Sequence, residues 1–372
     1  MYLWKNIPNI ARTLRIFHNF YEMKIDDLPT YQNIIQYLKG KKDRKVNLLL
    51  GNGFSRAYDN SIFSYNALGA FIETTDDPLL QKIFSATKTK NFEQIMQQLD
   101  NFCVFAKVFS ADKTIIESIN EGSFRLKKSL IKSVKELHPE HIFKIPDENI
   151  AKCSDFLHYY LASDGNIIST NYDLLLYWVL VKKLKEECND GFGRDVEYPN
   201  EYHPDNQPDV SELRWGKKEK QNIFYLHGAL HLFDEGVEIV KEEYESNVCL
   251  LEKIEKRMES KNYPIFVTAG NAEEKMHNIV HNKYLSNCYD RLSTISGSLV
   301  TFGFNFGDYD SHIISGINAA SATSRYKNDE KPILSLYIGV YSDSDLKHIE
   351  SIKHKFKCKK VEIYNAKSAN IW

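Results

Sequence analysis

The chain has 372 residues of which 42% are hydrophobic, enough to bury one large core or a core with a smaller satellite, and this excludes a disordered protein. Its 48 basic and 50 acidic residues nearly cancel, so no global positive field recruits a nucleic acid. The local run "KGKKDRK" (Lys39 to Lys45) reads as a solvated loop.

Cys103, Cys153, Cys188, Cys249, Cys288 and Cys358 are scattered, with neither zinc-site spacing nor a small disulfide framework, and read as reduced, mostly buried thiols. The first residues lack an uninterrupted apolar segment and a small-residue cleavage site. The longest fully apolar run, Leu174 to Val181, is too short to span a bilayer. The expectation is a cytoplasmic protein without membrane contact.

Residues 1–45 are expected to form an N-terminal helical extension, with a helix from about Thr30 to Lys39 that buries Ile34, Ile35 and Leu38. The run "VNLLL" follows, ended by Gly51, as a central parallel strand covered on both faces requires. Phe92, Ile95, Met96, Leu99, Phe102, Cys103 and Ala106 recur at helical spacing and predict a core stripe. A second helical pattern runs from about Asp112 to Leu137, Pro139 and Pro146 punctuate, and a third runs from Asp147 to Ala162. These patterns predict a helical insertion over about residues 71–148, after the first βα unit.

From Asn166, "NIISTNYDLLLYWVLVKKLK" reads as a short strand, a polar turn and a helix apolar nearly all round, hence a buried crossover helix. Residues 186–221 are charged, rich in Pro and Gly and aperiodic, and are expected to form a long loop or lid. Then come "NIFYLHGALHLF", a helix near Glu242 to Ser260, the strand "PIFVTA", a helical stretch from Ala272 to Ser296 and the strand "SLVTFGFNF". The strand "PILSLYIGV", a helix carrying Leu346, Ile349, Ile352 and Phe356, and a last strand "KVEIYNA" complete the chain. This alternation predicts an α/β fold: a doubly wound, mostly parallel, Rossmann-like sheet with an inserted helical subdomain.

Polar or glycine-rich segments stand at four strand ends. In "GNGFS", Gly51, Asn52, Gly53, Phe54 and Ser55 make a turn whose glycines let a ligand approach the backbone and whose helix start favours anionic oxygen, a pyrophosphate above all. An ordinary tight turn is the other reading, and no Walker lysine follows. In "STNYD", Thr170, Asn171, Tyr172 and Asp173 sit where open α/β sheets bind ligands, although Asn171 or Asp173 could equally cap the next helix. The others are "YLHG", with His227 and Gly228, and "GFNFGDYD", beginning at Gly303. "HNIVH" places His277 and His281 on one helical face but lacks a third ligand, so no metal is expected. Lys275, shortly after "VTAGN", is either a phosphate contact or a surface lysine.

The order "GNGFS", "TNYD", "LHG" and "GFNFGDYD" resembles the NAD-binding core of the SIR2-like proteins, the wider sirtuin superfamily, over roughly Val46 to Asn365. The ending "VEIYNAKSANIW" resembles that of a SIR2-like group found beside bacterial anti-phage defence genes. Residues 46–372 would then be a SIR2-like NAD-binding domain. Deacylating sirtuins carry a zinc module built on two Cys-x-x-Cys pairs; this chain has no such pair, which disfavours protein deacetylation.

What the resemblance implies is an NAD+ glycohydrolase, with NAD+ as substrate and nicotinamide and ADP-ribose as products. It would act as a gated toxic effector of anti-phage defence, by abortive infection. An ADP-ribosyltransferase and a non-catalytic module that senses NAD or ADP-ribose are the alternatives. The implied partners are NAD+ and either further copies in a homo-oligomer or a regulatory sensor protein, with a response to nucleotides.

Carried over residue by residue, the resemblance puts the pyrophosphate on Gly51, Gly53 and Ser55, with Asn52 in the turn and Phe54 shaping the pocket. It puts Asn171 near the nicotinamide ribose to orient water, flanked by Thr170 and Tyr172, and Asp173 at the nicotinamide end. His227, beside Gly228, is the general base, and Gly303, Phe304, Asn305 and Asp308 line the adenosine side. The chemistry is consistent with those roles. Breaking the bond from ribose to nicotinamide builds positive charge on the sugar while the leaving group departs neutral, so positioning and charge complementarity suffice. A histidine titrating near its ordinary value of about 6.5 would suit the capture of water.

Overall fold

The computed structural model describes residues 23–41, 44–60, 77–87, 92–137, 139, 142–194, 212–245, 248–260, 262–267, 272–322 and 332–372. Residues 1–22 of the expected extension, 61–76, which include the start of the expected insertion, and 195–211 of the expected lid lie outside them.

Thr30 and Asn33 start helix α1 (Tyr31–Lys39) with a capping box: the Thr30 hydroxyl accepts the Asn33 amide and the Asn33 side chain accepts the Thr30 amide. Its Ile34, Ile35 and Leu38 are buried, as their spacing requires. This helix is no detached extension, because the Asn365 amide donates to the Pro29 carbonyl and the Tyr31 amide to the Ser368 hydroxyl.

Strand β1 (Val46–Leu50) is buried throughout and leads through Gly51 into the short helix α2 (Gly53–Tyr58). The insertion then contributes α3 (Pro78–Thr87), α4 (Phe92–Val108) and α5 (Lys113–Leu137). The apolar stripe of α4 is core only in part. Ile95 is buried and Leu99 packs against the core, but Phe102 is 62% exposed and Phe105 57%. The side chains of Phe92 and Met96 lie outside the described residues. Periodicity marks the apolar side of a helix but not how far along it a neighbour extends.

Helix α6 (Asp147–Ala162), strand β2 (Ile167–Ser169) and helix α7 (Leu175–Lys183) follow as expected, with every residue from Leu175 to Leu180 buried. The segment read as a lid contains β3 (Phe192–Gly193) and β4 (Leu213–Trp215), strands too short to show a period. The apolar run "NIFYLHGALHLF" is two strands, β5 (Ile223–Tyr225) and β6 (Gly228–Asp234), because Gly228 turns the chain with φ of 81°.

Strand β7 (Ile239–Lys241), helix α8 (Leu250–Glu259) and strand β8 (Pro264–Phe266) come next. The helical stretch beyond is two helices, α9 (Ala272–His281) and α10 (Lys283–Thr294), parted where the Asn282 side chain caps the second. Strand β9 (Gly297–Phe302), helix α11 (Ser311–Ala320), strand β10 (Ile333–Val340), helix α12 (Asp343–Ile352) and strand β11 (Lys360–Asn365) complete the described elements.

Six strands form one sheet in the order β11-β10-β9-β1-β2-β5, every pair parallel. The chain builds from β1 through β2 to β5, then returns to the other side of β1 as β9, so the direction of winding reverses between β1 and β9. Asn47 pins that centre. Its Nδ2 donates to the Ser296 and Ser298 carbonyls at 2.8 and 3.1 Å, and its Oδ1 accepts the Asn166 amide and Nδ2 at 3.0 and 2.8 Å. Every hydrogen-bonding atom of this buried amide side chain is satisfied, which is what makes a polar residue tolerable in a central strand.

The remaining five strands make a separate antiparallel sheet, β3-β4-β7-β6-β8, which the sequence pattern does not anticipate. Cys153 and Cys288 are buried while the other four cysteines are partly exposed, and all six are free thiols. Among the described residues no helix is long and apolar enough to cross a membrane.

Candidate functional site

Ligands of open parallel sheets bind beyond the carboxyl ends of the strands, at the point where the winding reverses. Here that point is where Gly51 leaves β1 and Gly303 leaves β9. The two glycine turns interlock. The Gly51 amide donates to the Phe302 carbonyl at 3.0 Å and the Gly53 amide to the Gly303 carbonyl at 2.9 Å. A Cβ on Gly51 would stand 2.5 Å from the Gly303 carbonyl oxygen, and one on Gly53 2.5 Å from the Gly303 Cα. The expected anion cradle is therefore turned inward at two of its amides, since Gly53 serves Gly303 and the Phe54 amide serves the Gly51 carbonyl at 2.9 Å.

Ser55, Asn171 and Asp173 form one buried cluster from two strand ends. The Ser55 hydroxyl donates to Asp173 Oδ2 at 2.5 Å, and Asn171 Nδ2 donates to the Ser55 Oγ at 3.2 Å and to the Gly51 carbonyl at 3.0 Å. Asp173 Oδ1 accepts the Leu175 amide at 2.9 Å, so this carboxylate also helps to start α7. With both amide hydrogens of Asn171 engaged, its Oδ1 is the atom left to meet a ligand. The Ser55 side chain holds this cluster rather than standing open to a phosphate.

His227 follows the next strand. Ser169 and Tyr225 are the last register partners of the parallel pair β2 and β5, and Asn171 and His227 each follow two residues later in the chain, past the carboxyl ends of these adjacent strands. His227 is buried, and its Nε2 lies 3.0 Å from Nε2 of His312, a residue of α11. Behind the pair, buried Lys275 of α9 meets Asp310 at 3.2 Å. Lys275 is thus neither on the surface nor among the freely solvated lysines.

The electrostatics differ from the sequence expectation. Burial first, then His312 and Lys275, hold His227 well below its ordinary 6.5, so the ring is neutral at physiological pH instead of titrating there. Burial lowers His312 to about 4 against the opposing pull of Asp310. A neutral imidazole is ready to accept a proton, but it is a weaker base than one of ordinary value.

The other expected residues are placed as follows. Thr170 binds the Leu50 carbonyl through its amide and hydroxyl, and the Tyr172 carbonyl accepts the Leu230 amide, so both stitch strand ends together. Asn52 lies at the N-terminus of α2, and Phe54 and Phe304 are buried. Gly228 opens β6, while Asn305 and Asp308 are exposed on the segment after β9. His277 and His281 pack ring against ring at a tilt of 39° on an exposed face, with His281 Nδ1 against the His277 carbonyl. Among the described residues no group of three or more His, Cys, Asp or Glu could hold a metal.

Sequence reasoning passes over His312, Asp310 and Trp372. Asp310 closes "GFNFGDYD", a segment already singled out, and His312 lies two residues past it, within the next helical turn. Trp372 shuts the back of the glycine turn: its Nε1 donates to the Phe54 carbonyl at 2.9 Å and its ring packs on Phe54 and Tyr58.

Fold and site together define a parallel α/β protein whose buried polar residues gather at the carboxyl edge of the sheet, beside its point of reversal. The chain belongs to the family described as Domain of unknown function (DUF4917), which matches residues 48–372. No curated protein matches it.

Proposed function

We propose that this protein binds NAD+ across the carboxyl edge of its parallel sheet and hydrolyses the bond between ribose and nicotinamide. The observation that carries the reading is that Asn171 and His227 each follow, by two residues, the last paired residues of neighbouring parallel strands, which brings a side-chain amide and a neutral imidazole to the same edge of the sheet. Asp173, buried in the same cluster, supplies negative charge where the sugar becomes cationic. Nicotinamide leaves as a neutral molecule and needs no proton donor. Water would be oriented by Asn171 and would lose its proton to His227.

The likeness to SIR2-like proteins supports the choice of NAD+ over other nucleotides. The role of gated effector, working as a homo-oligomer or with a regulatory partner, rests on that likeness alone. In this reading the glycine turn joins the edges of β1 and β9 and walls the crevice.

Free nicotinamide released from NAD+ by the purified full chain tests the proposal. His227→Ala is expected to lose about 10² to 10⁴ in rate, the range of general-base catalysis. Full turnover by folded Asn171→Ala would overturn the assignment. NAD+ bound but never consumed would make the protein a sensor, and ADP-ribose retained on an acceptor would make it a transferase.

A further inference from the structure

We propose that His227 and His312 form a two-histidine proton relay in which His312, not His227, is the ring where the proton comes to rest. This rests on the reading of His227 as the general base. The two Nε2 atoms are 3.0 Å apart, and the rings lie 26° from parallel with centroids at 5.2 Å. Two N–H groups cannot face each other at that separation, and two lone pairs would repel, so one proton bridges the nitrogens.

The charges around the two rings are unequal. His227 faces His312 from α11 and Lys275 from α9, and both disfavour positive charge on it. His312 also faces Lys275, but it has the Asp310 carboxylate on its side, which favours a proton there, while its Nδ1 meets no hydrogen-bond partner among the described residues. The N-terminal position of His312 in α11 acts in the opposite sense, through the helix dipole. Lys275 is itself paired with Asp310. An added proton is consequently better accommodated on His312 than on His227.

As water oxygen bonds to the ribose carbon and nicotinamide departs with the electron pair of the broken bond, the water proton bonds to Nδ1 of His227. The proton on Nε2 of His227 then crosses to Nε2 of His312. His227 ends neutral and His312 ends as an imidazolium, and loss of one proton from the pair to solvent restores the starting charge.

His312→Gln keeps a hydrogen-bonding group opposite His227 but cannot hold the transferred proton, whereas His312→Ala removes both. Imidazole ¹⁵N spectra of the full chain, recorded while the pH is lowered, give the order of titration without any need for substrate; spectra of the single-histidine variants assign the two rings. The expected result is that His312 takes up a proton before His227, and that His227 becomes the titrating ring in His312→Gln. With NAD+, His312→Gln is expected to lose about 10²-fold in kcat, the low end of the general-base range, with KM unchanged. Protonation of His227 ahead of His312 in the wild-type chain overturns the relay, as does wild-type kcat in His312→Gln. Correct titration order in a protein that releases no nicotinamide would instead count against the hydrolase reading, so the two failures are distinguishable.

Discussion

Replacing Gly303 by alanine separates two reasons for a glycine at a strand end: close approach of a ligand, and close approach of the protein's own backbone. Gly303 has φ of 67°, and a Cβ there would stand 2.5 Å from the Phe54 amide nitrogen and 2.6 Å from the Gly53 Cα. The left-handed conformation costs alanine roughly 1–2 kcal/mol. Overlap with backbone, which cannot rotate aside as a side chain can, adds about 1–3 kcal/mol.

Gly236 provides the control, since its φ is 84° and nothing lies within 4 Å of the position of its Cβ. Gly236→Ala should therefore lose only the conformational part, about 1–2 kcal/mol. In thermal unfolding, at roughly 2–4 °C per kcal/mol, Gly303→Ala is expected to fall by about 4–20 °C and the control by the smaller conformational share, about 2–8 °C. Equal shifts in the two variants would refute the interlock. A Gly303→Ala protein of normal stability that has lost only NAD+ binding would return the glycine turn to a ligand-binding role.

Three further perturbations follow from the same contacts. Stability should fall as the pH drops from about 6.5 to 4. Above 6.5 His312 is neutral whether folded or unfolded, and below it the unfolded chain gains a proton that the folded chain resists down to about pH 4, a difference of about 3 kcal/mol. Burial lowers His227 and His231 as well, which adds to the fall in the same direction. Urea unfolding at pH 7.5 and pH 5 measures it, and a flat profile would contradict the buried, neutral state of these rings. Ser55→Ala removes the hydroxyl between Asn171 and Asp173, and should cost about 1–3 kcal/mol in denaturant unfolding; an unchanged midpoint would mean the cluster is not closed as described. Trp372→Ala strips the back of α2 of a buried ring and its hydrogen bond, with an expected loss of about 3–5 kcal/mol by the same measurement; a loss below about 1 kcal/mol would show that the glycine turn stands without it.

The local elements, and the places where ligand chemistry could gather, are written in the amino-acid sequence. The inward face of α1, the bounds of α6, the buried run of β1 and the apolar crossover helix α7 are all legible, because each depends on neighbours within a few turns of chain. Strand-end motifs at Gly51, Asn171, His227 and Gly303 were visible for the same reason, as punctuation after apolar runs. The rest depends on residues far apart in the chain. His312 lies 85 residues from the ring it meets. Gly51 and Gly303 admit each other's backbone. The half-exposed stripe of α4 and the antiparallel sheet built from two- and three-residue strands depend on which surfaces meet. Burial and neighbouring charge, which hold His227 neutral, exist only once those distant segments are packed together.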